Sequence, residues 1–206
     1  MEETAHIIKV ETSRRGTAQE KEADSYVAID LETTGLDPKH DKIIEIGAVL
    51  VIDGEIKETF STFVNPRREL DGRIRELTGI TGEMTAGAPD IGDVIGRVVE
   101  FCRDLPLLGH HIIFDYSFLK RAAVNKGLVF EKSGIDTLTL CRRFMPEEEK
   151  KNLENASRYY GIKQTDAHRA LADALTAHLL YRNVKRSHFS SAPEAFRCKP
   201  LVYKVK

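Results

Sequence analysis

The chain contains two long strand candidates joined by Asp53-Gly54, and this feature constrains its fold more than any other. A two-residue Asp-Gly loop favours a type I′ turn, which requires positive φ, so the runs at 43–52 and 56–64 are predicted to form an antiparallel hairpin. Residues 26–31 are a further strand candidate ahead of it. Helix and strand patterns then alternate: helices at 91–105, about 116–125, 153–160 and 169 to about 185, a strand at 107–109, and a strand-to-helix connection at 135–138.

This order of elements predicts an α/β domain with a mixed central sheet, antiparallel strands first and parallel strands after, flanked by helices. The domain is expected over residues 25–186. Residues 1–24 are charge-dense and are predicted to form an N-terminal extension, and residues 187–206, with their serines and prolines, a C-terminal tail. Short alternating pieces at 6–10 and 201–205 are candidate strands at the two ends.

Composition narrows the class of protein. With 206 residues and 41% hydrophobic side chains, one globular domain is expected. The N-terminus lacks the features of a signal peptide, and no apolar run is long enough to cross a bilayer, so a cytoplasmic protein with no membrane contact is expected. The three cysteines are widely spaced, which indicates neither a disulfide framework nor a zinc site.

Charge is nearly balanced, with 31 basic and 32 acidic residues. No overall basic field therefore indicates nucleic-acid binding. This balance does not exclude a nucleic-acid enzyme, because a site that collects carboxylates for metal ions subtracts positive charge from the total.

An acid pair, Asp30 and Glu32, stands at the end of the first strand candidate and is followed by Thr33-Thr34-Gly35. Side chains two apart on a strand share a face, so both carboxylates are expected on one side. Like charges there favour a cation, and hard ions such as Mg2+ prefer carboxylate oxygens. An ordinary acidic strand end before a turn is the alternative.

Three later residues extend this pattern. Asp115 precedes a predicted helix, where a helix N-cap is the alternative role. Asp173 lies on the last long helix beside the small residues Ala170 and Ala177, with a solvated helix acid as the alternative. His168 is separated from Asp173 by about 140° if both are helical, so it is expected in the preceding loop, folded over a site that Asp173 lines. A plain loop histidine is its alternative.

Together these residues resemble the DEDDh class of 3′-to-5′ exonucleases, which includes the epsilon proofreading subunit of bacterial DNA polymerase III. The resemblance covers about residues 26–181 and rests on three ordered motifs. Two further segments resemble the family's second strand and its proofreading branch. The motifs are Asp30-x-Glu32-Thr33-Thr34-Gly35-Leu36, Phe114-Asp115-x-x-Phe118-Leu119 and His168-x-Ala170-x-x-Asp173, and the segments are 43–49 and 77–81.

The resemblance implies a ribonuclease H-like fold and two divalent metal ions, Mg2+ or Mn2+, held by four acids: Asp30, Glu32, Asp115 and Asp173. It implies that Asp30 bridges both ions and that His168 is the general base. The residues implied in substrate binding are Thr33, Thr34, Leu36, His111 and Phe114. His111 stands where the family usually has Asn, and Phe114 has core packing as an alternative role.

By the same resemblance the chain is expected to remove nucleoside 5′-monophosphates from single-stranded or frayed DNA 3′ ends, as in proofreading, DNA replication or repair. Segment 77–81 favours this DNA-directed branch. The alternative in the same superfamily is an exoribonuclease like RNase T or oligoribonuclease, which differs in how it treats the 2′-hydroxyl. A DNA polymerase partner is possible by resemblance, and the oligomeric state stays open.

Two further classes compete with a nuclease. A catalytically silent binding module would keep the fold, but all five catalytic positions are present here. A haloacid-dehalogenase-like phosphatase also begins with a strand-end acid pair. That class requires Asp-x-Asp and a later lysine, and it leaves His168 without a role.

Overall fold

The computed structural model describes residues 24–164 and 168–205, and its centre is a six-stranded sheet in the order β3-β2-β1-β4-β5-β6. Parallel pairing joins β1 to β4 and β4 to β5, and the other neighbours are antiparallel. The predicted mixed α/β sheet is therefore confirmed. The strands are β1 (Tyr26–Thr33), β2 (Ile43–Ile52), β3 (Glu55–Phe63), β4 (Leu107–Gly109), β5 (Ser133–Asp136) and β6 (Lys199–Pro200).

The hairpin between β2 and β3 turns at Asp53 and Gly54, whose φ angles are 52° and 78°. Both angles lie in the left-handed region that a type I′ turn needs. On its other edge β2 pairs antiparallel with β1, and this separate register places Glu45 directly opposite Glu32. A carboxylate of the second strand therefore stands beside the predicted acid pair.

Seven α-helices are described, and two of them, α1 and α2, were not predicted from the sequence. They have seven and five residues, and each buries only one residue, a threonine, so neither shows an apolar face at helical spacing. Helix α3 ends at Cys102, three residues before its predicted end, because Arg103 takes a φ of 45°. The helices are α1 (Gly72–Thr78), α2 (Gly82–Ala86), α3 (Ile91–Cys102), α4 (Ile113–Asn125), α5 (Thr137–Phe144), α6 (Leu153–Tyr159) and α7 (Ala170–His188).

The two faces of the sheet bury separate apolar clusters. One cluster packs α3 and α4 against residues such as Val27, Ile29 and Leu31, which point to one side of β1. The other packs α5, α6 and α7 against Tyr26 and Ala28, which point to the opposite side. Because strand side chains alternate, Asp30 and Glu32 share the α7 side of the sheet.

Helix α7 begins in direct contact with β2. A Cβ atom added to Gly47 would lie 2.1 Å from the Leu171 nitrogen and 2.2 Å from the Ala170 carbonyl carbon. Only glycine leaves room for so close an approach of two backbones. This contact fixes where the first turn of α7 meets the sheet.

The segment after Arg186 contributes more to the fold than the tail predicted from the sequence. Phe196, at the end of a short 3-10 helix, is fully buried, and β6 pairs with Ser133 and Gly134 of β5. The strand expected at 201–205 is not formed; β6 ends at Pro200, the Leu201 N–H donates a 2.9 Å hydrogen bond to the Lys132 carbonyl, and the Leu201 side chain packs on the core. The other candidate strand, 6–10, lies outside the described residues.

No helix in the described part of the chain is long and apolar enough to cross a membrane.

Candidate active site

The acids at the end of β1 meet an aspartate from helix α4. The Leu31 N–H, between Asp30 and Glu32, donates a 3.0 Å hydrogen bond to Asp115 Oδ1. Asp115 is 3% exposed and is the third residue of α4, whose N-cap is Ile112. Its carboxylate therefore joins α4 to the acid pair instead of capping the helix, which excludes the N-cap role considered from the sequence.

Helix α7 brings Asp173 to the same place. Its Oδ1 accepts a 2.6 Å hydrogen bond from Gln164 Nε2, and its Oδ2 accepts one of 3.2 Å from the His168 N–H. Asp173 is 8% exposed, so it is not a solvated helix acid. These two donors hold its carboxylate in a fixed orientation facing Glu32 and His168.

His168 precedes α7, in the loop, and its side chain is exposed. Its φ is 64°, a left-handed conformation that costs a non-glycine residue about 1 kcal/mol or more. One ligand atom from each of Glu32, His168 and Asp173 lies within 4.8 Å of the others. The three side chains therefore surround a space in which they could share one ion or one water molecule.

The cluster is electrostatically strained without a cation. Burial raises the pKa of Asp30 well above its ordinary value, and the carboxylates of Asp115, Asp173 and Glu32 raise it further. Burial, then Asp173 and Glu45, raise the pKa of Glu32 to about 7. Burial also raises the pKa of Asp115 and Asp173. Oxygen donors with this much uncompensated charge fit divalent cations, which would reverse these shifts.

The segment after β1 holds the residues predicted to receive substrate. Thr33 Oγ1 donates to the Gly35 carbonyl at 2.7 Å, and Thr34 Oγ1 accepts from the Lys42 N–H at 2.9 Å. Leu36 is 83% exposed, so its side chain is accessible to a ligand.

His111 and Phe114 lie at the start of α4. His111 is exposed with a φ of 74°, and its N–H donates a 2.8 Å hydrogen bond to Asp136 Oδ1. Asparagine adopts this left-handed conformation more readily than most residues, which gives a backbone reason for the family's usual Asn. The half-buried Phe114 ring lies 5.1 Å from that of Phe118, so it contributes to packing.

Two contacts around the site involve residues that the sequence patterns did not single out. Arg68 contacts the Thr34 hydroxyl and forms a 2.9 Å ion pair with Asp41. Glu45 pairs with Arg169, next to His168, at 2.9 Å. The available signal for Glu45 was an acid inside the otherwise apolar run Ile43–Ile52, whereas nothing local marked Arg68.

Comparisons with known proteins agree with this geometry. A family model described as an exonuclease (RNase T) matches residues 27–181. The chain is 40% identical over 164 residues to the PolC-type DNA polymerase III of Clostridium perfringens and 43% identical over 168 residues to that of Bacillus subtilis. These matches cover 79% and 80% of the chain but only 11% and 12% of the polymerases.

Solved structures show the same fold. Exonuclease X in complex with 5′ overhanging duplex DNA superposes with a TM-score of 0.64 at 26% identity, covering 82% of this chain and 96% of that one. E. coli exonuclease I with a dT13 oligonucleotide gives a TM-score of 0.70 at 19% identity, covering 84% and 43%. The exonuclease family model, which matches residues 27–181, confirms the family predicted from the three motifs: the chain belongs to the exonuclease family and is a nuclease.

Proposed function

We propose that this protein is a divalent-metal-dependent 3′-to-5′ exonuclease that removes nucleoside 5′-monophosphates from single-stranded or frayed DNA ends. The observation that carries the proposal is the convergence of Asp30, Glu32, Asp115, Asp173 and His168, from three separate elements and one loop, at the end of β1. Buried acids with raised pKa values beside an exposed imidazole are typical of a hydrolytic site that uses metal ions.

The four acids would hold two ions, Mg2+ or Mn2+. Such ions, when bound, lower the pKa of a water nucleophile and stabilise the leaving 3′ oxygen. His168 would accept the proton of the attacking water. Its imidazole is exposed, so it can pass that proton to solvent. Asp173, which accepts the His168 N–H, would hold the base near Glu32.

The terminal nucleotide would bind over the segment that follows β1. Thr33 and Thr34 would contact the sugar and its 3′-hydroxyl, and the exposed Leu36 would pack on a base. His111 and Phe114, from the start of α4, would line the other side. Such a pocket selects a free end because an internal nucleotide carries a phosphate where the 3′-hydroxyl must fit.

DNA as the substrate is supported by the relatives at 40% and 43% identity, which are DNA polymerases, and by the exonuclease X complex with duplex DNA. The same relatives support a DNA polymerase as the partner of this chain. RNA is the competing substrate, because nothing in the described pocket is known to reject a 2′-hydroxyl.

The test uses 5′-labelled and 3′-labelled DNA and RNA oligonucleotides with Mn2+, Mg2+ or EDTA. A 3′-to-5′ enzyme gives a ladder from the 5′ label and immediate mononucleotide from the 3′ label. Asp30→Asn and His168→Ala should each lower the rate by about 100-fold or more, whereas Glu58→Gln, an exposed acid on β3, should not. Intact DNA in every metal condition would refute the proposal, and faster RNA degradation would identify an exoribonuclease.

Proofreading predicts a further preference. A primer with a mispaired 3′ end frays more easily than a paired one, so it should be shortened faster. Adding the protein to an extension reaction on the mispaired primer should increase full-length product if a polymerase takes over the trimmed end. Equal rates on paired and mispaired primers would contradict a proofreading role.

A further inference from the structure

Glu45 is a buried acid in the middle of an apolar strand. It is 1% exposed, lies between Ile44 and Ile46 on β2, and stands opposite Glu32. Like charges directly opposite each other on neighbouring strands destabilise a sheet. A fifth carboxylate at this position therefore needs a compensating role.

The Glu45 carboxylate is fully engaged by the start of α7. Its Oε1 accepts hydrogen bonds from Arg169 Nη2 at 2.9 Å and Nε at 3.2 Å, and its Oε2 accepts one from the Ala170 N–H at 3.1 Å. Arg169, the N-cap residue, makes no side-chain capping bond. Glu45 thus supplies the anion that the N-terminus of α7 favours, from a different element of the fold.

The contacts of Glu45 and its neighbours fix the backbone of His168 and of the residues that follow it. The Arg169 guanidinium lies 5.3 Å above the Phe63 ring as well as against Glu45, and the His168 N–H is bonded to Asp173. Gly47 lets the backbone of Ala170 and Leu171 rest directly on β2. A histidine with a φ of 64° persists only where its surroundings hold it, and these contacts hold it.

We propose that Glu45 is a positioning residue for His168. By binding Arg169 and Ala170 it holds the loop end that carries the imidazole over Glu32 and Asp173, and it does not itself bind metal. The effect on catalysis rests on the proposed function, in which His168 is the base. The effect on the loop rests on the contacts alone.

A double-mutant cycle tests the catalytic half of the proposal. Glu45→Gln keeps the side-chain size but replaces one carboxylate oxygen by an amide NH2 group. Only one acceptor oxygen then remains for the donors of Arg169 and Ala170. The substitution should lower kcat by about 10- to 100-fold in the wild-type background, because a misplaced base transfers protons poorly. In the His168→Ala background the same change should cost less than about threefold, since the residue through which Glu45 acts is gone. KM should stay nearly unchanged, and Glu58→Gln is the matched control.

Two results would overturn the proposed effect of Glu45 on catalysis through His168. Equal losses of kcat in both backgrounds would mean that Glu45 acts independently of His168. A rise of about tenfold in the Mn2+ concentration needed for half-maximal rate would mean that Glu45 supports the metal site instead.

Hydrogen exchange tests the structural half without using activity. In Glu45→Gln the amides of residues 168–173 should exchange faster than in wild type, while those of β1 stay protected. Unchanged exchange at 168–173 would overturn the proposal. If the wild-type protein showed no nuclease activity, the proposed function would fail, and exchange would still decide whether Glu45 holds the loop.

Discussion

Removing one carboxylate from the acid cluster should stabilise the metal-free protein. The pKa of Glu32 rises from an ordinary 4.5 to about 7, chiefly through burial and then through Asp173 and Glu45. A pKa raised in the folded state means that the protonated acid contributes stability below pH 4.5 and that this contribution is lost as the pH rises through 7. At pH 8 the ionised Glu32 therefore opposes folding.

The size of the effect follows from the difference between the ordinary pKa of Glu32 and its pKa in the folded protein. A pKa difference of one corresponds to about 1.4 kcal/mol, so a difference of about 2.5 gives about 3.5 kcal/mol, reduced to about 2 to 3 kcal/mol because Glu32 is only half-buried. Glu32→Gln keeps the shape and removes the charge. In EDTA at pH 8 this substitution should raise the free energy of unfolding by about 2 to 3 kcal/mol. At pH 4.5 the same substitution should leave the free energy of unfolding nearly unchanged.

Urea unfolding in EDTA at several pH values measures this directly. Glu58→Gln, an exposed acid on β3, should shift stability by less than about 0.5 kcal/mol at every pH. Saturating Mg2+ should stabilise wild type more than Glu32→Gln. A variant that is less stable than wild type at pH 8, or a gain as large at pH 4.5 as at pH 8, would refute the electrostatic reasoning.

Two other substitutions test local geometry by thermal unfolding. Gly47→Ala should destabilise the protein by about 1–3 kcal/mol or more, because the new Cβ would lie 2.1 Å from the Leu171 nitrogen. Gly96→Ala is the control: it lies on α3, where nothing is within 4 Å of an added Cβ, and it should stabilise the protein by about 0.5–1 kcal/mol. Equal effects at the two glycines would contradict the close contact of α7 with β2. His111→Asn should be neutral or stabilising by a few tenths of a kcal/mol, because Asn adopts a φ of 74° more readily, and a clear loss of melting temperature would show that the His111 side chain itself is needed.

Local chemistry explains why much of the fold was predictable. The Asp53-Gly54 turn requires positive φ at both residues and has it, so the hairpin follows from a dipeptide, whereas the register shift between Leu50 and Val51 does not. The alternation of side chains along a strand likewise predicts that Asp30 and Glu32 share one face of β1. Helices α1 and α2 each bury a single threonine, so no apolar period marks them in the sequence. The spacing of apolar residues also does not show at which residue α4 begins. Asp115 was therefore considered as an N-cap, although it lies inside the first turn of α4.

Contacts between distant segments explain what the sequence could not show. Glu45 and Arg169 are 124 residues apart, and only the packing of α7 on β2 brings them together. Arg68 reaches Thr34 across 34 residues in the same way. A motif records which residues a site uses, but the side chains that hold those residues in place follow from packing, which no local pattern encodes.

We propose that Asp30, Glu32, Asp115 and Asp173 form one divalent-metal site beside His168. Anomalous diffraction from crystals soaked with Mn2+ and a nucleoside 5′-monophosphate tests this site most directly. We expect manganese peaks bound by these carboxylates, with the nucleotide over Thr33 and Thr34, and loss of the peaks in Asp30→Asn. Clear density for the nucleotide elsewhere, or no manganese among these four acids at saturating Mn2+, would contradict it.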